Sequence, residues 1–440
     1  MRVLLMETPF PSPLTYTQPE PLGLELVAGA LGQHDVRLLD LRLDPDLERC
    51  MQAFRPHVVA TGSVAAQRNR VLDLLARARR VDPTVRTVVG GLHPTLYPQD
   101  FASPWVDALV CGPGEFTMGE LVDTWEQGKS PSEIPGLALG CPGRMVRTPP
   151  RVIGHLDDSP RPRRDLTRGY REHYFQDGHR PAAMTRTSLG CAYRCNFCAL
   201  WKFARGRYLA HSPERVVADI GDVQEGYCFF ADADSFLDRR RAARILAGLR
   251  QANIRKKYRM FVNAQSVIAC PDILEGLAAA GLEEVIVGYE AVDDAGLKAF
   301  NKNTTAAMNR EATRVLYGLG LKVRAYFLIR SDFTRLDFRR LARYVEEEGL
   351  LTPLFTVETP FPGTDLYAAV EDRLITDRCE DFDLLHPTLP MRLSYEEFLK
   401  EYRRLLTSSY GPARYLRSLV AAGAVRLRPG WRERLEPRAR

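Results

Sequence analysis

The sequence predicts an α/β protein: a doubly wound parallel sheet, then a partial (β/α)6 barrel, then a helical C-terminal region. Three observations predict it. Residues 1–120 alternate short apolar runs with amphipathic stretches, the same alternation resumes near residue 184 for six further units, and an aperiodic stretch separates the two. A chain of 440 residues also exceeds one ordinary domain. The expected division is 1–140, a linker at 141–183, a barrel at 184–370 and a helical region at 371–440.

In the first domain, strands are expected at Val3–Met6, Val36–Leu39, Val58–Thr61, Thr87–Val89 and Ala108–Cys111. Their runs are continuously apolar, as in strands buried on both faces. Helical faces fall at Leu24, Val27, Ala28 and Leu31, and at Val71, Leu74, Leu75 and Ala78. Such a sheet is Rossmann-like, and its ligands sit beyond the carboxyl ends of the strands. Those ends read Thr8-Pro9-Phe10-Pro11-Ser12-Pro13, Thr61-Gly62-Ser63, Gly90-Gly91-Leu92-His93-Pro94-Thr95 and Gly112-Pro113-Gly114-Glu115. Small residues at four successive strand ends point to a bound ligand, because glycine lets backbone approach it closely. Tight turns without a ligand are the alternative. The candidate contacts are Thr8, Pro9, Thr61, Ser63, Gly90, Gly91, His93, Gly112, Gly114 and Glu115.

Residues 141–183 carry Pro, Arg and Asp and read as a connector over the surface. The barrel strands are expected near Ala183–Ser188, Tyr227–Ala231, Tyr258–Asn263, Val285–Tyr289, Val323–Ile329 and Leu354–Val357. Helices are expected at 213–224, 238–252, 271–281, 293–301, 306–319 and 335–348. The helix at 213 has a clear start in Ser212, Pro213 and Glu214. The chemistry of a parallel barrel belongs on its C-terminal face.

Composition narrows the class. Hydrophobic content of 45% allows full cores, and a net charge of +6 on this length does not by itself imply nucleic acid. The arginines at 414, 417, 426, 428, 432, 434, 438 and 440 read as a solvated face, or as a contact for an anionic substrate, lipid surface or partner. No transmembrane segment is expected, and Met1–Glu7 reads as a buried strand rather than a signal peptide. Nine cysteines, six of them scattered, do not form a secreted disulfide framework. A reducing cytoplasm fits, with peripheral membrane contact left open.

Just past the first barrel strand the chain reads Ser188-Leu189-Gly190-Cys191-Ala192-Tyr193-Arg194-Cys195-Asn196-Phe197-Cys198. Three cysteines in one short loop can hold three corners of an iron–sulfur cubane, which normally takes four thiolates. The fourth iron is then open, and open positions are where metals do chemistry. A zinc site with His211 as fourth ligand is the alternative, although zinc sites usually arrive as two paired knuckles.

The C-x3-C-x-φ-C motif in this position resembles the radical S-adenosylmethionine (SAM) superfamily. The resemblance implies a 4Fe-4S cluster on Cys191, Cys195 and Cys198, with SAM chelated at the open iron and cleaved to a 5′-deoxyadenosyl radical. It places Phe197 near the adenine. Phe230-Ala231-Asp232-Ala233-Asp234-Ser235-Phe236 resembles an F-x-D-D-x-F segment that holds the methionine ammonium, leaving open which of Asp232 and Asp234 acts. An Asx turn is the alternative for each. Asn263 and Gln265 are candidate ribose contacts, and Gly288-Tyr289-Glu290 resembles a G-x-E segment whose Glu290 faces ribose or methionine. Thr359-Pro360-Phe361-Pro362-Gly363-Thr364 resembles a T-P-x-P-G-T turn expected at the bottom of the cavity. Arg330 stands where relatives have a Gly-Pro turn and is read either as facing the barrel mouth or as a surface arginine.

The preceding domain, with Gly-Gly-x-His-Pro-Thr at 90–95 and Gly-x-Gly-Glu at 112–115, looks like the cobalamin-binding branch. Phe382-Asp383-Leu384-Leu385-His386-Pro387 looks like that branch too. There cobalamin lies between the domains. The common reaction is C-methylation of an unactivated carbon: one SAM methylates cob(I)alamin and a second supplies the radical. The D-x-H-x-x-G segment of the cobalt-ligating histidine is absent, so His93 reads first as a loop-structuring residue.

The expectation is a cobalamin-dependent methyltransferase of a natural-product, hopanoid or tetrapyrrole-like substrate. It would take a small-molecule or lipid-like substrate, an electron donor such as flavodoxin or ferredoxin, and no nucleic acid. A ring-forming or oxidative cyclase of the same architecture is the alternative. A transfer-RNA methylthiotransferase would need a second cluster, on Cys50, Cys111 and Cys141, but Cys50 falls in a helical stretch.

Overall fold

The computed structural model describes residues 1–11, 17–141 and 143–410. Ser12, Pro13 and the arginines beyond residue 410 lie outside the described residues.

Five strands build the first sheet: β1 (Arg2–Glu7), β2 (Asp35–Asp40), β3 (Val58–Gly62), β4 (Arg86–Gly90) and β5 (Ala108–Val110). They pair in parallel in the order β2-β1-β3-β4-β5. Leu4 and Met6 enter the core on one face, and Val3 and Leu5 the core on the other. Burial on both faces explains the unbroken apolar run. The chain order reverses between β1 and β3, which places the ligand crevice beyond their carboxyl ends.

A hairpin that the sequence did not announce, β6 (Leu137–Cys141) and β7 (Arg144–Arg147), extends the sheet antiparallel to β5. Its strands are short and carry exposed Arg144 and Arg147, so its apolar signal is weak.

The connector is pinned rather than laid over the surface. Arg164 reaches Asp219 at 2.7 Å and the Met184 carbonyl at 2.8 Å, and Arg171 pairs with Glu20 and Glu225. Thr167, fully buried, donates to Glu25. These contacts join the Leu22–Gly29 helix of the first domain to the second. Burial pushes the Glu25 carboxyl up to about 8, and the neighbouring Glu20 adds to the shift.

The second sheet runs β8 (Ala183–Thr185), β9 (Tyr227–Phe230), β10 (Lys257–Phe261), β11 (Leu282–Glu290), β12 (Lys322–Ile329) and β13 (Leu354–Val357), all parallel and in chain order. No pairing among the described residues joins β8 to β13, so the barrel is partial. Alternate side chains face opposite ways. Met260, Val285, Val287, Ala325 and Phe327 pack outward against the helices. Phe229, Ile286, Phe261, Tyr326 and Met184 form a separate inner cluster. Below it, Arg259 and Arg324 each pair with Asp177 and Glu284, closing the floor. A surface hollow of about 890 Å³ lined by His179, Lys256 and Gly281 lies at this end, away from the cysteines.

Among the described residues of the C-terminal region, 371–394 form short turns rather than helices, with Asp383 accepting from the Leu385 and His386 amides, and Tyr395–Tyr410 is a long helix. Phe398 of that helix packs edge-on to Phe338 at 5.4 Å. The turns reach back to the first domain, where Asn69 donates to Glu380 at 2.8 Å.

Candidate functional site

The cysteine loop begins where Ser188–Gly190 pairs antiparallel with Tyr208–Ala210. Gly190 has φ +83°, and a Cβ there would sit 2.1 Å from the Arg207 carbonyl, so only glycine starts this loop. The loop is held by its backbone. Trp201 Nε1 donates to the Cys195 carbonyl at 3.0 Å, and the Cys198 amide to the same carbonyl at 3.2 Å. Asn196 Nδ2 reaches the Ala299 carbonyl at 2.9 Å, and Asn301 Nδ2 reaches the Arg194 carbonyl at 2.7 Å. Residues 299–301 therefore grip the loop from the β11 side.

Cys195 is buried, while Cys191 and Cys198 are half-buried. Burial pushes all three thiols up, Cys195 to about 11, and the Lys302 ammonium works against that shift at each. Among the described residues, the only trio of His, Cys, Asp or Glu ligand atoms within 4.8 Å of one another is His34, Asp123 and Glu126. The cysteine sulfurs are therefore spread wider than the about 3.8 Å that a single tetrahedral zinc would impose. His211 Nδ1 is held by Asp157 at 2.9 Å, and among the described residues no such trio includes His211. A spread trio with one cation beside it fits a cubane.

The two aspartates after β9 are both spent on this chain. Asp232 accepts from the Thr187 and Ser188 amides at 2.8 and 2.7 Å and from Thr187 Oγ1 at 2.6 Å. Asp234 accepts from Ser266 Oγ at 2.7 Å and the Phe236 amide at 3.0 Å. Burial raises Asp234 from 3.8 to about 6. Its protonated form is favoured in the fold. Asp234 thus contributes stability that is full below about pH 4 and is lost as pH rises to about 6. That loss is about 3 kcal/mol at 1.36 kcal/mol per unit. Asp234→Asn keeps both bonds and flattens this slope in urea denaturation between pH 4 and 6. An unchanged slope would assign it to another group.

Gln265 is also engaged: it accepts from Tyr193 OH at 3.1 Å and donates to the Asn303 carbonyl. Asn263 caps the next helix, accepting from the Gln265 amide at 3.0 Å. Phe197 stands edge-on to Phe300 at 5.4 Å. Glu290 pairs with Lys302 at 3.0 Å, a pairing that sequence reasoning did not assign. Arg330 turns to Asp332 at 2.7 Å, while its buried Nε has no partner.

At the first sheet's strand ends, Thr8 and Thr61 hydroxyls bond at 2.9 Å across the switch point, Ser63 Oγ bonds the Val64 carbonyl, and the Pro9 carbonyl takes Arg70 at 3.4 Å. Gly90 sits in ordinary contact with Val110, and Gly91, at φ +106°, lies against the Ser63 backbone. Gly62 and Gly112 have nothing within 4 Å of a would-be Cβ, so their backbones stay uncovered. Gly114 packs on Val27, and Glu115 pairs with Arg186 at 2.6 Å, tying this domain to the cysteine loop.

His93 structures its loop, the first of its two readings, rather than contacting a ligand: its Nε2 bonds Asp100 at 2.8 Å, and its ring packs on Tyr97 and Phe101. One expectation needs correction. The Thr359–Thr364 turn is not at the bottom of the cavity. It follows β13 at the cysteine end, where the Leu366 amide bonds the Asn196 carbonyl at 2.9 Å and Gly363 packs on Leu96 of the first domain.

Residues 15–122 match the B12 binding domain family, and residues 185–345 match the Radical SAM superfamily. The hopanoid C-3 methylase of Methylococcus capsulatus is 31% identical over 403 residues, spanning 89% of this chain and 77% of that protein. The chain belongs to the B12-binding branch of the radical SAM superfamily. Radical SAM enzymes of this branch imply a 4Fe-4S cluster, SAM and cobalamin as cofactors. A second relative, the anaerobic magnesium-protoporphyrin IX monomethyl ester cyclase of Rubrivivax gelatinosus, is 25% identical over 81% of this chain and 65% of its own length. The fold of this radical SAM enzyme is that of OxsB, a cobalamin-dependent S-adenosylmethionine radical enzyme. Its structure superposes with a TM-score of 0.75 at 16% identity, covering 92% of this chain and 66% of that one. No helix among the described residues is long and apolar enough to cross a membrane.

Proposed function

We propose that this enzyme transfers a methyl group to an unactivated carbon of a largely apolar ring-system substrate, of natural-product, hopanoid or tetrapyrrole type. The observation that carries the reading is the junction of the two halves. Glu115, which follows β5 and the Gly112 turn, pairs with Arg186, just ahead of the Ser188–Gly190 strand that launches the cysteine loop, and this contact supports reading the glycine-edged crevice and the loop as one site.

When bound, the cluster with SAM supplies the radical and cobalamin supplies the methyl group. Cys191, Cys195 and Cys198 would hold the cluster. Asp232 fixes the start of their loop. His93 is committed to Asp100 and would not be the residue that holds cobalamin. The barrel interior offers Phe229, Phe261, Ile286, Tyr326 and Met184 to the substrate, and the ion pairs beneath them close the far end to water. That lining suits rings and hydrocarbon rather than a charged metabolite. The electron comes from an external one-electron donor of the flavodoxin or ferredoxin kind.

Anaerobic reconstitution with iron, sulfide and hydroxocobalamin tests this reading. A corrinoid absorption band that stays with the protein through desalting is expected. Its absence, with the cluster intact, favours the cyclase reading instead.

A further inference from the structure

Two charged side chains at the barrel mouth have no part in the steps above. The pleat of their strands fixes where they point. Phe327, Ile329 and Val357 pack outward against the helices, and Tyr326 packs inward. Alternate side chains face opposite ways, so Arg330 and Glu358 point inward. Ile329 lies opposite Val357 in the parallel register, which makes Arg330 and Glu358 the next neighbours across the two strands. The Glu358 amide bonds the Ile329 carbonyl at 2.8 Å, so the pairing continues to them. On β12 the inward positions run from Arg324 at the floor through Tyr326 and Leu328 to Arg330 at the mouth. The turn after Glu358 leads straight to the cysteine loop, where the Leu366 amide bonds the Asn196 carbonyl at 2.9 Å.

These neighbours of opposite charge do not pair. Arg330 spends one guanidinium nitrogen on exposed Asp332 at 2.7 Å, and among the described residues that is its only carboxylate partner. Its Nε is buried and has no hydrogen-bond partner. Glu358 is 9% exposed, and among the described residues no side chain donates to it. Burial pushes its carboxyl above the usual range, against the Arg330 charge and the Ser331 amide. A buried donor and a buried acceptor side by side cost free energy unless a third group bonds them. A hydroxyl fits both, because it donates one hydrogen bond and accepts others. A carboxylate would meet Glu358 with like charge, and a hydrocarbon would leave both groups unpaired.

We propose that Arg330 and Glu358 bind a hydroxyl group of the substrate, which donates to the Glu358 carboxylate and accepts from Arg330 Nε, so that the enzyme selects ring systems carrying an alcohol. This rests on the reading of the barrel interior as the substrate site. The apolar lining below the pair holds the rings, and the pair fixes how they are turned.

Equilibrium dialysis of the anaerobically reconstituted enzyme tests this with matched probes in detergent. One pair is a hopanoid alcohol and the hydrocarbon of the same skeleton. The other is a tetrapyrrole with a hydroxyethyl group and its ethyl counterpart. The ratio of alcohol to hydrocarbon affinity is compared between the parent and its Arg330→Leu, Glu358→Leu and Glu358→Gln variants, so micelle partitioning cancels. For at least one skeleton the ratio falls about 10- to 100-fold in both leucine variants, the size expected of a hydrogen bond to a charged group. Glu358→Gln still accepts a hydrogen bond and keeps more of the ratio than Glu358→Leu. A purely structural pair would weaken both probes alike and leave the ratio unchanged. An unchanged ratio for both skeletons, or no binding of either alcohol to the parent, overturns the inference. So does tighter binding of a hopanoid carboxylate than of the alcohol. Weaker SAM binding in the leucine variants with the ratio unchanged also overturns it, and assigns the pair to the ribose hydroxyls of SAM. If one leucine variant does not fold, the other and Glu358→Gln decide. Corrinoid retention is measured alongside. Its loss with the hydroxyl preference intact sinks the methylation reading and leaves this one standing.

Discussion

Cys195→Ser leaves a chain that binds little iron and forms 5′-deoxyadenosine from SAM only at background rate. Cys195 is the most buried of the three cysteines, and its carbonyl is the acceptor for both Trp201 and the Cys198 amide. Burial pushes its thiol up to about 11, and the Lys302 charge works against that shift and supports the thiolate. Serine offers a harder, less acidic oxygen that iron–sulfur clusters do not normally take. Cys111→Ser and Cys379→Ser keep iron and cleavage near the parent level. The first bonds only the Pro94 carbonyl, at 3.9 Å, and the second sits in a surface turn. Iron and sulfide analysis, with chromatography of the cleavage products, reads all three. Retention of a full cluster in Cys195→Ser contradicts the assignment. Cys50 lies inside the Leu47–Phe54 helix, which argues against a second cluster of the methylthiotransferase kind.

Asp232→Ala destabilises the second domain by about 2–6 kcal/mol. Asp232 is 3% exposed and receives two backbone amides and a hydroxyl from the residues that launch the cysteine loop. Each of the two buried amides left unpaired costs about 1–3 kcal/mol, while the hydroxyl can rotate away. Asp232→Asn keeps one acceptor oxygen and loses less. Urea denaturation of the apo proteins gives the stabilities, and the rate of iron release to a chelator reports the loop. A change under about 1 kcal/mol in Asp232→Ala would mean that water replaces the carboxylate, and the loop would not depend on it.

The strands of both domains were legible because buried parallel strands are written as unbroken apolar runs, such as Val58-Val59-Ala60. Helix starts were legible where a cap precedes the first turn. Ser212, for example, accepts the Arg215 amide. The cysteine loop was legible from its spacing alone. Pairing between distant residues was not. Arg186 and Glu115 are 71 positions apart, and nothing local marks either as a partner. Arg164 and Arg171 sit in a polar run that reads as surface, yet each is buried against carboxylates. The aspartates after β9 and Gln265 were read as facing a ligand. Asp232 and Gln265 also hold the loop, and Asp234 holds Ser266 and its own turn, because a carboxylate or amide at a strand end satisfies neighbouring donors as readily as a cofactor.

The central claim is that the cysteine loop and the glycine-edged crevice form one site, in which SAM is both radical source and methyl source. The direct measurement uses the reconstituted, cobalamin-loaded enzyme with dithionite and SAM deuterated in its methyl group. Mass spectrometry then follows the products. The account predicts 5′-deoxyadenosine together with S-adenosylhomocysteine, with deuterated methyl recovered in the protein-bound corrinoid. Formation of 5′-deoxyadenosine alone, with no label in the corrinoid, would contradict it.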